Sequence, residues 1–240
     1  MMLSSFEMIT LANHARQFGI DLTVAQQAAF EFYYRELIDW NARINLTSIT
    51  GRDEVLVKHF LDSLSAAPII ASARHLIDVG SGAGLPGIPL KIVFPDLHLT
   101  LLETTGKKVD FLKHAITQLE FENAQAIQSR AEDLGHDAAH RERYDVAVAR
   151  AVATLSTLAE YALPFVRVGG MFIAYKGVDV AVELQSAARA IQKLGGRARE
   201  IIPVQLPGLE PRHLIVVEKI SATPEKFPRR APLPKQKPLT

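Results

Sequence analysis

The 240-residue sequence contains no cysteine. That absence excludes disulfides, thiolate metal sites and any cysteine nucleophile, and with the last it excludes pyrimidine C5 methylation, which needs a thiolate to add to the ring. No apolar run approaches the ~20 residues that span a bilayer, and the first residues lack a basic segment followed by an apolar one. The expectation is a soluble, cytoplasmic protein without a membrane partner. Net charge is only +1, so the bulk composition does not point to nucleic acid. The distribution is uneven, however. Residues 221–240 carry five basic side chains (Lys226, Arg229, Arg230, Lys235, Lys237) against one acid, Glu225, leaving 22 basic against 25 acidic residues in the first 220.

Residues 1–72 read as a helical N-terminal extension packed on a core. Thr23 with Gln26 has the form of a capping box, and Phe30, Tyr33, Tyr34, Leu37 and Ile38 then recur at helical spacing. A second amphipathic stretch runs from Asp53 to Leu64. Trp40 reads as a packing anchor. From His75 the pattern becomes short apolar runs alternating with helical stretches, as in a parallel sheet with crossover helices. The strands predicted are His75–Val79, Leu97–Leu102, Ala124–Gln128, Asp145–Val148, Met171–Tyr175, Ile201–Gln205 and Leu214–Glu218, within a domain spanning 73–220. A short helix is expected over Leu85–Phe94, stopped by Pro95. Residues 221–240 contain five prolines, and such a basic, Pro-rich tail is expected to be mobile or ordered by a partner.

The strongest local signal is Asp78-Val79-Gly80-Ser81-Gly82-Ala83-Gly84-Leu85, between a strand and a helix. Glycines there let the backbone turn sharply against a ligand at the carboxyl edge of a doubly wound sheet. A dinucleotide fingerprint would place its third glycine at position 85, but here it falls at Gly84. That spacing is the one found in S-adenosylmethionine-binding loops. Glu103, ending the next strand, can accept ribose hydroxyls, and the backbone at Ala131 and Glu132 after the third strand can meet adenine. Beyond the fourth strand lies Val148-Ala149-Arg150-Ala151-Val152, which lacks the Asn/Asp-Pro-Pro-aromatic clamp of enzymes that methylate exocyclic amines. The N7 of guanine remains a suitable acceptor because its lone pair is free at neutral pH. A ribose hydroxyl assisted by Lys176 also stays open.

The runs Asn45–Ile49 (NLTSI), His59–Ser63 (HFLDS), Asp78–Pro89 (DVGSGAGLPGIP), Gln128–Glu132 (QSRAE), Ala149–Ala151 (ARA), Tyr175–Gly177 (YKG) and Arg212–Leu214 (RHL), with Phe227–Arg230 (FPRR), resemble the bacterial small-subunit rRNA guanine-N7 methyltransferases, the RsmG or glucose-inhibited division protein B family. The resemblance covers nearly the whole chain. It implies a Rossmann-like class I S-adenosylmethionine-dependent methyltransferase sheet of α/β class, with an antiparallel last strand. It also implies 16S rRNA of the small ribosomal subunit, or its precursor, as partner. Cofactor contacts are expected at Gly80, Gly82, Gly84, Leu85, Glu103, Ala131, Glu132 and Arg150, of which Arg150 is also the candidate catalytic residue. RNA contacts are expected at Lys107, Arg130, Lys176, Arg229 and Arg230. Two departures stand out: Glu103 occupies a position where the family more often has Asp, and Thr104-Thr105-Gly106 differs from its pattern. His136 and His140 have the i, i+4 spacing of a zinc pair, but no third ligand accompanies them, so no metal is expected. A small-molecule methyltransferase and a non-catalytic ribosome-assembly factor are the rival readings.

Overall fold

The computed structural model describes residues 11–150 and 153–240. Helix α1 (Val24–Ile44) begins with the expected capping box: Thr23 Oγ1 accepts the Gln26 N–H at 3.2 Å and Gln26 Oε1 accepts the Thr23 N–H at 3.0 Å. Its buried face carries Phe30, Tyr33 and Leu37, one stripe at helical spacing. Residues 52–64 form a second helix, α2, which is π-helical over Leu56–Leu61. Phe60 on α2 packs 5.2 Å from the rings of both Phe30 and Tyr33. A short α3 (Ala67–Ile70) then leads to the sheet.

The following elements are β1 (His75–Val79), α4 (Gly87–Val93), β2 (His98–Glu103), α5 (Gly106–Gln118), β3 (Ala124–Gln128), α6 (Ala131–Leu134) and β4 (Tyr144–Ala149). After them come α7 (Leu155–Ala162), β5 (Val166–Lys176), α8 (Val180–Lys193), β6 (Gly196–Val204), β7 (Arg212–Lys219) and α9 (Leu233–Gln236). Among the described residues the strands form one sheet in the order β3-β2-β1-β4-β5-β7-β6, with β7 antiparallel to both neighbours. This is the expected α/β sheet with an antiparallel last strand. The inner parallel strands β1, β2 and β4 are buried on both faces and so read as largely apolar runs, whereas the edge strand β3 is only partly buried. Two strands begin five residues earlier than predicted, β5 at Val166 and β6 at Gly196, and β4 and β7 begin one and two residues earlier. The added residues 167–169 of β5 and 197–200 of β6 are exposed. In β6 they lie on the sheet edge, where charged side chains suppress pairing with other chains and hide the strand from a hydropathy reading.

The helical extension is joined to the sheet by polar as well as apolar contacts. The Tyr33 hydroxyl donates to the Ala83 carbonyl at 2.6 Å, and Gln26 Nε2 donates to Ile92 O at 3.1 Å. Trp40 packs 5.6 Å from Phe111 of α5. One hydrophobic cluster therefore runs from α1 through the sheet face.

The tail corrects the sequence expectation, because its own chain orders it. Glu160 of α7 is fully buried and takes three hydrogen bonds from Arg229: from Nε at 2.8 Å, Nη2 at 2.6 Å and the backbone N–H at 2.8 Å. Arg141 donates to the carbonyls of Thr223 and Phe227 at 2.7 and 2.9 Å. The buried Lys219 ammonium donates to Thr223 Oγ1 at 2.7 Å and pairs with Glu142 at 3.0 Å. Burial pushes the pKa of Lys219 down while Glu142 holds it up. Composition alone could not show these charge pairs. Arg229, expected to contact RNA, is instead the partner of a buried carboxylate. Removing one member of a buried pair strands the other charge, so Arg229→Ala is expected to cost about 3–5 kcal/mol of stability. Urea unfolding measures this, and a loss within experimental error would mean that the tail does not brace the domain.

Candidate active site

At the carboxyl edge of β1 the chain turns through Gly80 and Gly82, with φ of 76° and 58°. Both angles lie in the left-handed region that side-chain-bearing residues rarely adopt. A Cβ on Gly80 would meet no atom within 4 Å, so this turn faces open space. The N–H groups of Gly80 and Ser81 donate to Leu102 O at 2.8 and 3.0 Å. Glu103 closes the arrangement. Its Oε2 accepts the Gly82 N–H at 3.0 Å, and its Oε1 accepts the N–H groups of Thr104 and Thr105 at 2.8 and 2.9 Å. Burial pushes the Glu103 carboxyl up, but the bonds from Thr105 and Gly82 and the Lys108 charge outweigh it and leave its pKa below the usual value. Each carboxylate oxygen has two lone pairs. The remaining acceptor capacity is therefore on Oε2.

A cavity of about 220 Å³ opens here, lined by Gly80, Glu103, Arg130, Ala131, Glu132 and Tyr161 among others. The structure thus brings together five of the residues picked out in the sequence. Gly82 belongs to the same turn through its bond to Glu103. Gly84 and Leu85 pack inward and do not line the cavity: a Cβ on Gly84 would strike Ile88, and Leu85 is buried. Tyr161 and Leu158 of α7, also lining it, were not anticipated. In sequence they are ordinary apolar positions of a buried helix. Burial and the neighbouring Glu132 push the Tyr161 hydroxyl up to about 12.

A second cavity, of about 320 Å³, is lined by Lys58, His59, Asp62, Arg150, Lys176 and Arg212, with Tyr175. Arg150 belongs here and not to the first cavity. Its Nη1 donates to Asp62 Oδ2 at 3.0 Å and to the Lys58 and His59 carbonyls at 3.2 and 3.5 Å. Arg150, expected at the cofactor, thus lines the second cavity. Lys176 Nζ arrives already paired, to Glu183 and the Ala153 carbonyl at 2.7 Å each. Ala151 and Val152, the remainder of the expected acceptor segment, lie outside the described residues. His59 and Asp62 were quoted as part of a motif but given no role, since nothing in the sequence placed α2 beside β4.

The other expected residues lie around these cavities. Lys107 is exposed in the first turn of α5, and Arg230 lines a third cavity, of about 480 Å³, with Glu132 and Lys226. Among the described residues no three His, Asp or Glu side chains gather into a metal-binding group. His136 Nε2 bonds the Pro228 carbonyl and His140 Nδ1 the Tyr144 hydroxyl. No helix among the described residues is long and apolar enough to cross a membrane.

The family model GidB, described as rRNA small subunit methyltransferase G, matches residues 26–215. The chain belongs to this family. A GidB relative from Roseiflexus sp. strain RS-1, named ribosomal RNA small subunit methyltransferase G, is 47% identical over 95% of this chain and 98% of its own length. One of the same name from Pelotomaculum thermopropionicum is 50% identical over 96% of this chain and 98% of its own. Solved structures share the fold at low identity. A Klebsiella pneumoniae protein described as a candidate O-methyltransferase has a TM-score of 0.54 at 11% identity, covering 79% of this chain and 90% of that one. TrmN from Thermus thermophilus has a TM-score of 0.50 at 15% identity, covering 69% and 53%.

Two groups of the GidB site titrate in opposite directions. Asp78, fully buried, accepts the Gly87 N–H through Oδ2 at 2.8 Å, and its Oδ1 has no partner among the described residues. Burial pushes its carboxyl up to about 7 against the pull of Gly87 and Arg150. Burial and the Arg150 charge push His59 down to about 4, with the Lys58 carbonyl opposing. The unfolded chain gives up the Asp78 proton first, so this group removes stability as pH rises from 3.8 toward about 7. The unfolded chain takes up the His59 proton first, so this group removes stability as pH falls from 6.5 to about 4. Over the shared window the two slopes cancel. Relative to wild type, stability should therefore rise with pH in Asp78→Asn and fall with pH in His59→Gln, by up to about 1.4 kcal/mol per pH unit. Urea unfolding at several pH values across the window checks this; variant and wild-type curves that stay parallel would contradict it.

Proposed function

We propose that this chain transfers a methyl group from S-adenosylmethionine to N7 of one guanine in 16S rRNA of the small ribosomal subunit. The observation that carries the reading is the pairing of two cavities at the carboxyl edge of the sheet. One is built around the Gly80–Gly82 turn and Glu103, and the other is walled by Arg150 and further cations, in a chain of the rRNA small subunit methyltransferase G family. The cofactor supplies an electrophilic methyl group on a sulfonium. Glu103 Oε2 accepts a ribose hydroxyl. The N–H groups of Ala131 and Glu132 open a helix and have no intrahelical acceptor, so they are free to face the adenine edge. Leu158 and Tyr161 exclude water from that end.

In the second cavity the residues position and shield. Guanine N7 attacks with a lone pair that carries no proton, so no general base is needed, and the rate depends on orientation and desolvation. An arginine that held O6 and N7 together would block the attack. The tie of Arg150 to Asp62 keeps its fork from N7 and leaves its remaining N–H groups for O6 or a phosphate. Lys107, Arg130 and Arg230, exposed around the first cavity, meet rRNA phosphates. We take 73–220 as the methyltransferase domain, 1–72 as a helical extension packed on it and 221–240 as a tail braced against it, acting in the cytoplasm.

Purified small subunits incubated with methyl-labelled cofactor should acquire label at N7 of a single guanine, read by nucleotide mapping. Label on a base amine or a ribose, or none, would overturn the assignment. Glu103→Ala should weaken cofactor binding by about 1–3 kcal/mol in calorimetry, the scale of charge-assisted hydrogen bonds; unchanged affinity would place the ribose elsewhere. Neutralising Arg130 and Arg230 should flatten the salt dependence of subunit binding by about 0.7–0.9 of a slope unit per contact. A slope equal to wild type would remove both from the RNA interface.

A further inference from the structure

Resting on the function proposed above, we propose that the hydrogen bond between Thr47 and His59 positions Arg150 for methyl transfer. His59 is anchored at both ends. Its backbone carbonyl, with that of Lys58, receives Arg150 Nη1, while its ring Nε2 lies 2.8 Å from Thr47 Oγ1. Thr47 is itself held from the far side. The loop leaves α1 through Asn45 in the left-handed conformation (φ 53°), the Thr47 N–H donates to Asn41 Oδ1 at 2.8 Å, and Thr47 Oγ1 accepts the Ile49 N–H at 3.0 Å. The hydroxyl proton can go to Nε2 when the imidazole is the Nδ1–H tautomer, whose Nδ1 is buried without a hydrogen-bond partner among the described residues. The ring must be neutral to accept it. Burial in the wall keeps it so.

The backbone between the two anchors is unusual. Leu56–Leu61 is a π-helical stretch, and Arg150 bonds two carbonyls from its middle. Such widened turns commonly mark functional sites, and they last only where surrounding contacts hold them against relaxation to α-helix. Here the holding contacts are Thr47 on the His59 ring and the Ser63 hydroxyl on the His59 carbonyl, with Tyr175 donating to Ser63 O at 2.7 Å. Release of the ring lets the turn rewind, shifting the carbonyls under Arg150 while Asp62 still holds one side of the guanidinium. The charged and titratable groups around His59 are Lys58 and Asp62 from α2, Arg150 just after β4, Tyr175 and Lys176 from β5 and Arg212 from β7. Thr47 touches none of these directly in the described hydrogen bonds; its hydroxyl reaches the cavity wall through the His59 ring and through Ile49, whose N–H it accepts.

Thr47→Val removes the hydroxyl at nearly constant shape, and Thr47→Ser keeps it. Single-turnover methylation of small subunits at saturating cofactor should slow roughly 10- to 100-fold in Thr47→Val, the scale of a small misplacement at a reacting centre. Thr47→Ser should recover most of the rate, and cofactor affinity should not move in either. A merely structural role would not give this split. An activity-independent cycle accompanies it: Thr47→Val and Arg150→Ala should shift the urea unfolding midpoint non-additively. Additive shifts, or an unslowed Thr47→Val enzyme, would overturn the proposal. Non-additive shifts among the variants, together with a wild-type chain that methylates no small subunit, would uphold the link to Arg150 and reject the function on which its catalytic part rests.

Discussion

The carboxylate of Glu103 holds the site in shape. It sits buried at the end of β2 and is bonded by the N–H groups of Gly82, Thr104 and Thr105. A buried charge is tolerated only where such bonds replace its hydration. Those bonds also do structural work on both sides, because one reaches into the glycine turn and two fix the start of the loop before α5. The left-handed glycines keep their conformation because Glu103 and the Leu102 carbonyl hold the turn from below. The same bonds keep the group ionised, which is the state in which it can accept a hydroxyl from a ribose.

The helical extension completes what the sheet begins. Tyr33 reaches from α1 to the Ala83 carbonyl, so the glycine turn is held from the side as well. From α2 come Asp62 and the carbonyls that hold Arg150, and from β5 comes Tyr175, which ties back to Ser63. The placement of Arg150 in the second cavity thus depends on α2 keeping its place against β4 and β5. The aromatic packing of Phe30, Tyr33 and Phe60 supplies that placement. On the opposite face, buried charge pairs at Glu160 and Lys219 brace the tail behind α7. Since α7 also carries Tyr161, the tail backs the wall of the first cavity.

Legibility in the sequence followed the physics of each element. The inner parallel strands were plain because burial on two faces leaves a continuous apolar run, and α1 because burial on one stripe leaves a helical period in the apolar residues. The early part of β6 was hidden because its exposed residues include Arg197, Arg199 and Glu200, and that of β5 because Arg167, Gly169 and Gly170 interrupt the apolar run. Among site residues, those on one turn or one strand end, such as Gly80, Glu103 and Ala131, could be read from spacing, because consecutive βα units deliver them to one edge. His59, Asp62 and Tyr161 could not, since only tertiary packing brings them to the site. Arg150 was found by its place after β4, yet its partner Asp62 lies 88 positions earlier. Arg229 was misjudged for the same reason, since its partner Glu160 lies 69 positions before it.

The central claim is that donor and acceptor occupy adjoining cavities, separated by the wall that carries Arg150. A structure of the chain with S-adenosylhomocysteine bound tests this most directly. The account predicts a ribose hydroxyl within hydrogen-bonding distance of Glu103 Oε2, the adenine beside Ala131 and Glu132, and the sulfur directed toward the cavity of Arg150 and Asp62. An adenosine held away from Glu103, or a sulfur turned from Arg150, would contradict it.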